Sequence, residues 1–163
     1  MKKLFIVRHA KSSWAFENLS DHDRPLNARG KIDAPDMAQR LQKAGFKPHL
    51  ILTSSARRAL DTARIFAETL HVSEANFKIT PDLYHAGADK ILKILGKLHE
   101  NEKNVMLFGH NPGLTDLANQ IGSFQLANLP TCGIYAVSFT EYWDKIGTSE
   151  GKLVLYDFPK NKS

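Results

Sequence analysis

Three apolar runs in this sequence end in groups that could do chemistry. Residues 4–7 (LFIV) lead into Arg8 and His9, and residues 105–108 (VMLF) lead into Gly109 and His110. Residues 49–53 (HLILT) lead to Ser54 and then to the adjacent Arg57 and Arg58. Guanidinium groups beside imidazoles suit an anion: arginine offers a planar fork of donors that matches phosphate in two places at once. Each pair has an ordinary explanation on its own. Arg8-His9 could cap a strand, an arginine at a helix start is usually solvated, and Gly-His before Asn111-Pro112 reads as a turn. Their joint occurrence after three separate apolar runs points to a site. Arg57 and Arg58 also stand where a helix should begin, and positive charge there opposes the helix dipole. A bound anion between arginine and helix N-terminus would resolve that conflict.

The elements that must carry these residues follow from the apolar spacing. Short runs over 3–7, 49–53, 77–80, 104–108, 133–139 and 152–158 read as strands. Helical spacing covers 27–45, with Pro35 inside it, and also 57–70, 88–100 and 114–121. Ser54 or Ser55 is the expected cap of the second helix, and Asn111-Pro112 reads as a cap followed by proline in the first turn. Strands alternating with helices predict an α/β three-layer sandwich: a mostly parallel central sheet, helices on both faces and an antiparallel edge formed by the last two strands. In such sheets ligands sit beyond the carboxyl ends of the strands, where Arg8-His9, Ser54 and Gly109-His110 fall.

Composition narrows the function classes. With 163 residues, 42% of them hydrophobic and 24% charged, the expectation is one domain spanning 1–163 with an ordinary globular core. No apolar stretch reaches the roughly 18 residues a membrane span requires. Lys2 and Lys3 precede only four apolar residues before Arg8 interrupts, which is too short for a signal peptide, so a cytoplasmic location is expected. The net charge is +5, but the positive residues are scattered, the terminal PKNKS reads as a solvated tail, and no basic stripe interleaved with aromatics suggests nucleic acid. A lone cysteine, Cys132, excludes an internal disulfide and reads as a buried small residue. No HxH, HxxxH or HExxH pair occurs, so neither metal nor cofactor is expected; His22, His49, His71 and His99 read as surface or internally satisfied histidines.

The residues singled out resemble the histidine phosphatase superfamily, named for an Arg-His-Gly motif after the first strand. Here the motif is Arg8-His9-Ala10; alanine in place of glycine suggests a turn that needs little room rather than a positive φ. A Ser-x-x-x-Arg-Ala-x-x-Thr element matches Ser54, Arg58, Ala59 and Thr62, and a late Gly-His matches Gly109-His110. RHAKSSW, DRPLNARG (23–30), DLYHAGAD (82–89) and GHNPGL (109–114) are similar to the compact SixA-type phosphohistidine phosphatases, and the likeness covers nearly the whole chain. It implies a phosphoglycerate mutase-like fold, His9 as the nucleophile that becomes phosphohistidine, and Arg8, Arg58 and His110 as the phosphoryl clamp.

The same resemblance raises the question of a proton donor. Mutase and phosphomonoesterase members carry a glutamate that protonates the leaving alkoxide, and DLYHAGAD has none; Asp82, His85 and Asp89 are the available substitutes. An imidazole leaving group, whose conjugate acid has a pKa of roughly 6.5, needs less help. The expectation is therefore a phosphohistidine on a partner protein, with small phosphate esters as the alternative and a non-catalytic phosphate-recognition module as the third reading. Ser54, Arg57, Lys11, Arg24 and His85 are further candidates for substrate contact. Helix geometry allows only one of Arg57 and Arg58 to face the phosphate fully, and the motif favours Arg58. Arg24 could instead pair with Asp21 or Asp23.

Overall fold

A computed structural model describes residues 1–162. The main elements are β1 (Lys2–Arg8), α1 (Ala28–Lys43), β2 (Leu50–Thr53), α2 (Arg57–Thr69), β3 (Phe77–Ile79), α3 (Ala88–Leu95), β4 (Asn104–Gly109), α4 (Gly113–Ile121), β5 (Ile134–Phe139) and β6 (Lys152–Asp157). They build an α/β sandwich around a six-stranded sheet of order β3-β2-β4-β1-β5-β6. The strands β3, β2, β4 and β1 run parallel. β5 runs against both β1 and β6, so the reversed strand lies one place in from the edge and β6 turns back to close the sheet. No helix is long and apolar enough to cross a membrane among the described residues.

The wholly apolar run of β1 is explained by burial on both faces. Leu4 and Ile6 point to one side, with Ile91 and Leu95 of α3 and Leu114, Leu117 and Ile121 of α4. Phe5 and Val7 point to the other, with Met37 and Leu41 of α1 and Ala63 and Phe66 of α2. Alternate residues serve alternate layers, so no polar position is left. Each of these four side chains, at 0–1% exposure, contributes about 2 kcal/mol by leaving water. That burial makes the strand end a rigid platform.

Several boundaries differ from the sequence expectation. α3 stops at Leu95, well short of residue 100, because Gly96 takes the capping position and the chain turns. α1 passes through Pro35 rather than starting there. The second helix has Ala56 at its cap, with Ser54 Oγ accepting from Ala56 N–H at 3.2 Å, while Ser55 meets His22. α4 begins at Gly113, one residue after the expected proline position. Asn111 still serves it: its Oδ1 accepts from Thr115 N–H at 3.2 Å and from Thr115 Oγ1 at 2.9 Å.

Candidate active site

Register brings the candidate residues together. Arg8 pairs with Gly109 across β1 and β4, and Thr53 pairs with Phe108 across β2 and β4. His9, Ser54 and His110 therefore leave the sheet at nearly one level. The rings of His9 and His110 lie 5.2 Å apart between centroids. A cavity of about 420 Å³ opens over them, lined by Arg8, His9, Arg58 and His110, with Lys11 and His85 at its exposed rim.

His9 is held as a neutral imidazole. Its Nδ1 lies 2.7 Å from the carbonyl oxygen of Ala10, which can only accept, so Nδ1 carries the proton and Nε2 keeps its lone pair. Burial pushes the ring's pKa down to about 4; the charges of Arg58, Arg8 and Arg24 add to this, and the Ala10 hydrogen bond opposes it. Ala10 itself is fully buried and is not among the positive-φ residues, as the alanine implied. Its N–H donates to Thr62 Oγ1 at 3.1 Å, and Thr62 Oγ1 donates to the Arg58 carbonyl at 2.7 Å. The motif threonine thus ties the turn after His9 to the first turn of α2.

Both arginines are held by their terminal nitrogens. Arg8 Nη1 donates to the Leu129 carbonyl at 3.0 Å. Arg58 Nη1 donates to the Asp21 carbonyl at 2.7 Å, and its Nη2 to Asp21 Oδ2 at 3.0 Å. Left over are Nε of Arg8, Nε of Arg58 and Nδ1 of His110, all buried and without a partner among the described residues. Buried polar atoms are almost always bonded, so three orphans on three elements around one cavity mark where an anion fits. His110 Nε2 is 2.8 Å from Ser54 Oγ, and burial first, then His9 and Arg58, lowers its pKa to about 3. Its ring is neutral as well.

Asp21 and Tyr84 belong to this site, and sequence reasoning missed them. The Asp21 carboxylate accepts from Tyr84 Oη at 2.6 Å, from Arg58 and from Arg24 Nε at 3.1 Å. These donors, led by Tyr84, hold its carboxyl well below the usual range, while burial and Asp21 raise the Tyr84 hydroxyl. The spacing of residues 21, 58 and 84 carries no local signal; the one hint was Asp21 as a possible partner for Arg24.

The other candidates separate. Arg24 is buried beneath the Trp14 ring, 3.6 Å from its centroid, and bonds Ser12 Oγ at 2.7 Å, so it both lines the cavity and braces its wall. Ser54, expected as a substrate contact, is fully buried and does not line the cavity; its Oγ lies 2.8 Å from His110 Nε2 and supports that ring. Arg57, expected likewise, turns to Asp61, 3.6 Å away, and lines a neighbouring hollow with Phe16 and Leu19 instead of the cavity. Asp82 lies beside Lys90 at 3.9 Å, and neither Asp82 nor Asp89 lines the cavity. His85 does, at φ 57°, with Nε2 3.7 Å from Asp21 Oδ2. Its turn packs onto α4 because Gly113 has no Cβ to overlap the Ala86 carbonyl. Cys132 is fully buried, and burial raises its thiol pKa. No group of three or more His, Cys, Asp and Glu side chains that could hold a metal occurs among the described residues.

Comparison with known proteins agrees with this geometry. The family described as histidine phosphatase superfamily (branch 1) matches residues 4–86. An uncharacterized chloroplastic protein of Arabidopsis thaliana is 32% identical over 153 residues, which is 88% of this chain and 70% of that protein. The protein histidine phosphatase SixA complexed with tungstate superposes with a TM-score of 0.83 at 22% identity, covering 98% of each chain. A mycobacterial glucosyl-3-phosphoglycerate phosphatase complexed with VO3 superposes with a TM-score of 0.70 at 16% identity, covering 97% of this chain and 100% of that one. At these identities the two superpositions establish a shared fold.

Proposed function

The chain belongs to branch 1 of the histidine phosphatase superfamily, and from that premise we propose that it is a metal-independent phosphatase acting on phosphohistidine in partner proteins. The observation that carries the reading is the His9 environment: a neutral ring pinned at Nδ1, next to three unpartnered buried donors. In the first step the Nε2 lone pair of His9 attacks phosphorus and the phosphorus–nitrogen bond to the substrate imidazole breaks. The substrate ring, protonated from solvent on its other nitrogen, leaves as neutral imidazole. In the second step water attacks phosphorus, the bond to His9 breaks, and inorganic phosphate leaves. Arg8, Arg58 and His110 hold the phosphoryl oxygens through both steps, which makes catalysis largely a matter of position and charge.

The choice of phosphohistidine rests on the leaving group. Neither Asp82 nor Asp89 lines the cavity, and Asp21 is held ionised, so among the described residues no carboxylic acid stands ready to protonate an alkoxide. A second reading, a phosphatase of small phosphate esters, is favoured by one contact: His85 at the rim, backed by Asp21 at 3.7 Å, could act as the proton donor.

The test measures phosphate release from a phosphohistidine-bearing protein and from an aryl phosphate, with a chelator present throughout, for wild type and His9→Ala. Faster release from phosphohistidine by wild type and none by the variant supports the proposal. Turnover of the aryl phosphate alone transfers the reading to small esters. A variant as active as wild type refutes His9 as nucleophile.

A further inference from the structure

Residues 158–162 lie beside the active-site cavity. The sequence suggests a solvated tail at PKNKS; its side chains at 160–162 are exposed and Ser163 lies outside the described residues, but the backbone up to Asn161 is fastened: the Arg40 guanidinium donates to the carbonyls of Phe158 at 3.0 Å, Pro159 at 2.9 Å and Asn161 at 3.2 Å. Asp157 Oδ1 adds bonds from Phe158 N–H at 2.9 Å and Asn161 Nδ2 at 3.1 Å. One arginine holding three carbonyls around a single turn fixes the backbone that carries Lys160 and leads into Lys162. They line, with Lys11 and Arg29, a groove of about 340 Å³ floored by Pro130, Phe158 and Pro159. Lys11 and Thr131 line both this groove and the catalytic cavity, so the two adjoin.

The groove has surplus positive charge. Its one carboxylate among the described residues, Asp33, is matched by Arg29 at 2.8 Å, and the nearby Asp36 and Asp157 are both engaged by Arg40. Lys11, Lys160 and Lys162 form no ion pair among the described residues. All three are exposed. Buried, converging arginines would suit a small bis-anion; exposed lysines are long-reach point charges that suit carboxylates on a large, approaching surface.

We propose that the tail and Lys11 form a cationic shelf that recognises acidic side chains flanking the phosphohistidine of a partner protein. This rests on the phosphatase reading above and adds the chemistry of the partner. Long-range attraction of this kind acts on encounter and is screened by salt.

The experiment compares two synthetic peptides, each with one histidine phosphorylated by phosphoramidate, flanked by aspartates in one and asparagines in the other. At low salt, wild type is expected to favour the aspartate peptide about tenfold in kcat/KM, and the Lys160→Gln/Lys162→Gln variant only about twofold, as is wild type at about 0.5 M salt. No preference in wild type, or the same preference in the variant, overturns the proposal. So does lysine- and salt-dependent turnover of a sugar bisphosphate without discrimination between the peptides. Binding of the same phosphopeptides to His9→Ala, read by fluorescence anisotropy, separates the two readings. A lysine-dependent aspartate preference in binding without turnover by wild type upholds the shelf and refutes the phosphatase. Equal binding refutes the shelf.

Discussion

Lowering the pH should weaken the fold by a calculable amount through His9. The folded-state pKa is about 4 against an ordinary 6.5, because burial and the neighbouring arginines disfavour the charged ring. Between those values the unfolded chain binds a proton that the folded protein does not, so stability falls as pH drops below about 6.5 and the loss levels off below about 4. At pH 5 this amounts to about 2 kcal/mol, approaching about 3 kcal/mol at the acid limit. The assay is urea unfolding of wild type and His9→Asn at about pH 7.5 and about pH 5, read through Trp143, whose ring is fully buried. His110 also stays neutral when folded at pH 5, so its proton balance is nearly common to both proteins. The variant should gain about 2 kcal/mol on wild type as the pH falls. Parallel losses in the two proteins would refute the reasoning, because His9 would then titrate alike in both states.

Other residues make separate predictions. Asp21→Asn removes the charge that aligns Arg58 and receives Tyr84, and since Asp21 is 41% exposed on its side chain, a fall of about tenfold in kcat/KM is expected; a change under about twofold would deny the alignment role. Thr62→Val leaves the buried Ala10 N–H without its acceptor and should cost about 1–3 kcal/mol in urea unfolding, whereas a neutral result would mean that the turn re-bonds elsewhere. Gly30→Ala would drive a Cβ into the Lys11 carbonyl, so the turn carrying His9 must shift; kcat should fall by about tenfold or more, and unchanged kinetics would show that α1 gives way instead. His85→Ala should lower turnover of an alkyl phosphate about a hundredfold more than turnover of phosphohistidine if His85 donates the proton, and equal losses would remove it from that role.

What the sequence could and could not reveal follows from how far each signal reaches. Apolar runs reported the strands because both faces of the sheet are covered, and the residues just after each run could be read as site residues because parallel register brings those ends together. Arg58 was separable from Arg57 by motif, and the structure turns Arg57 away towards Asp61. The supports were not legible. Leu129 orients Arg8 through a main-chain carbonyl, which any residue type would supply. Asp21 meets Arg58 and Tyr84 across 37 and 63 residues, by tertiary packing alone. Two further arrangements are equally long-range: Ser54 supports His110 across 56 residues, and Arg40 holds the backbone carbonyls of Phe158, Pro159 and Asn161 while Lys160 and Lys162 themselves stay exposed.

The charge arrangement links stability to function at this site. Arg8, Arg24 and Arg58 line one cavity, and Asp21 is the carboxylate bonded to Arg24 and Arg58. A second carboxylate at the floor would neutralise the cavity and compete with phosphate for the donors. With one, the cavity keeps a positive surplus suited to a dianionic phosphoryl group, and Asp21 stays ionised because that surplus and Tyr84 favour its anion. The same surplus contributes, after burial, to keeping His9 and His110 neutral. A neutral His9 is the form that can attack phosphorus, and it is also the form whose fold weakens as protons become available. The acid sensitivity of the fold and the proposed nucleophilic role of His9 are thus two consequences of one buried imidazole in one electrostatic field, and a variant that relieves the first by removing the positive charge should lose the second with it.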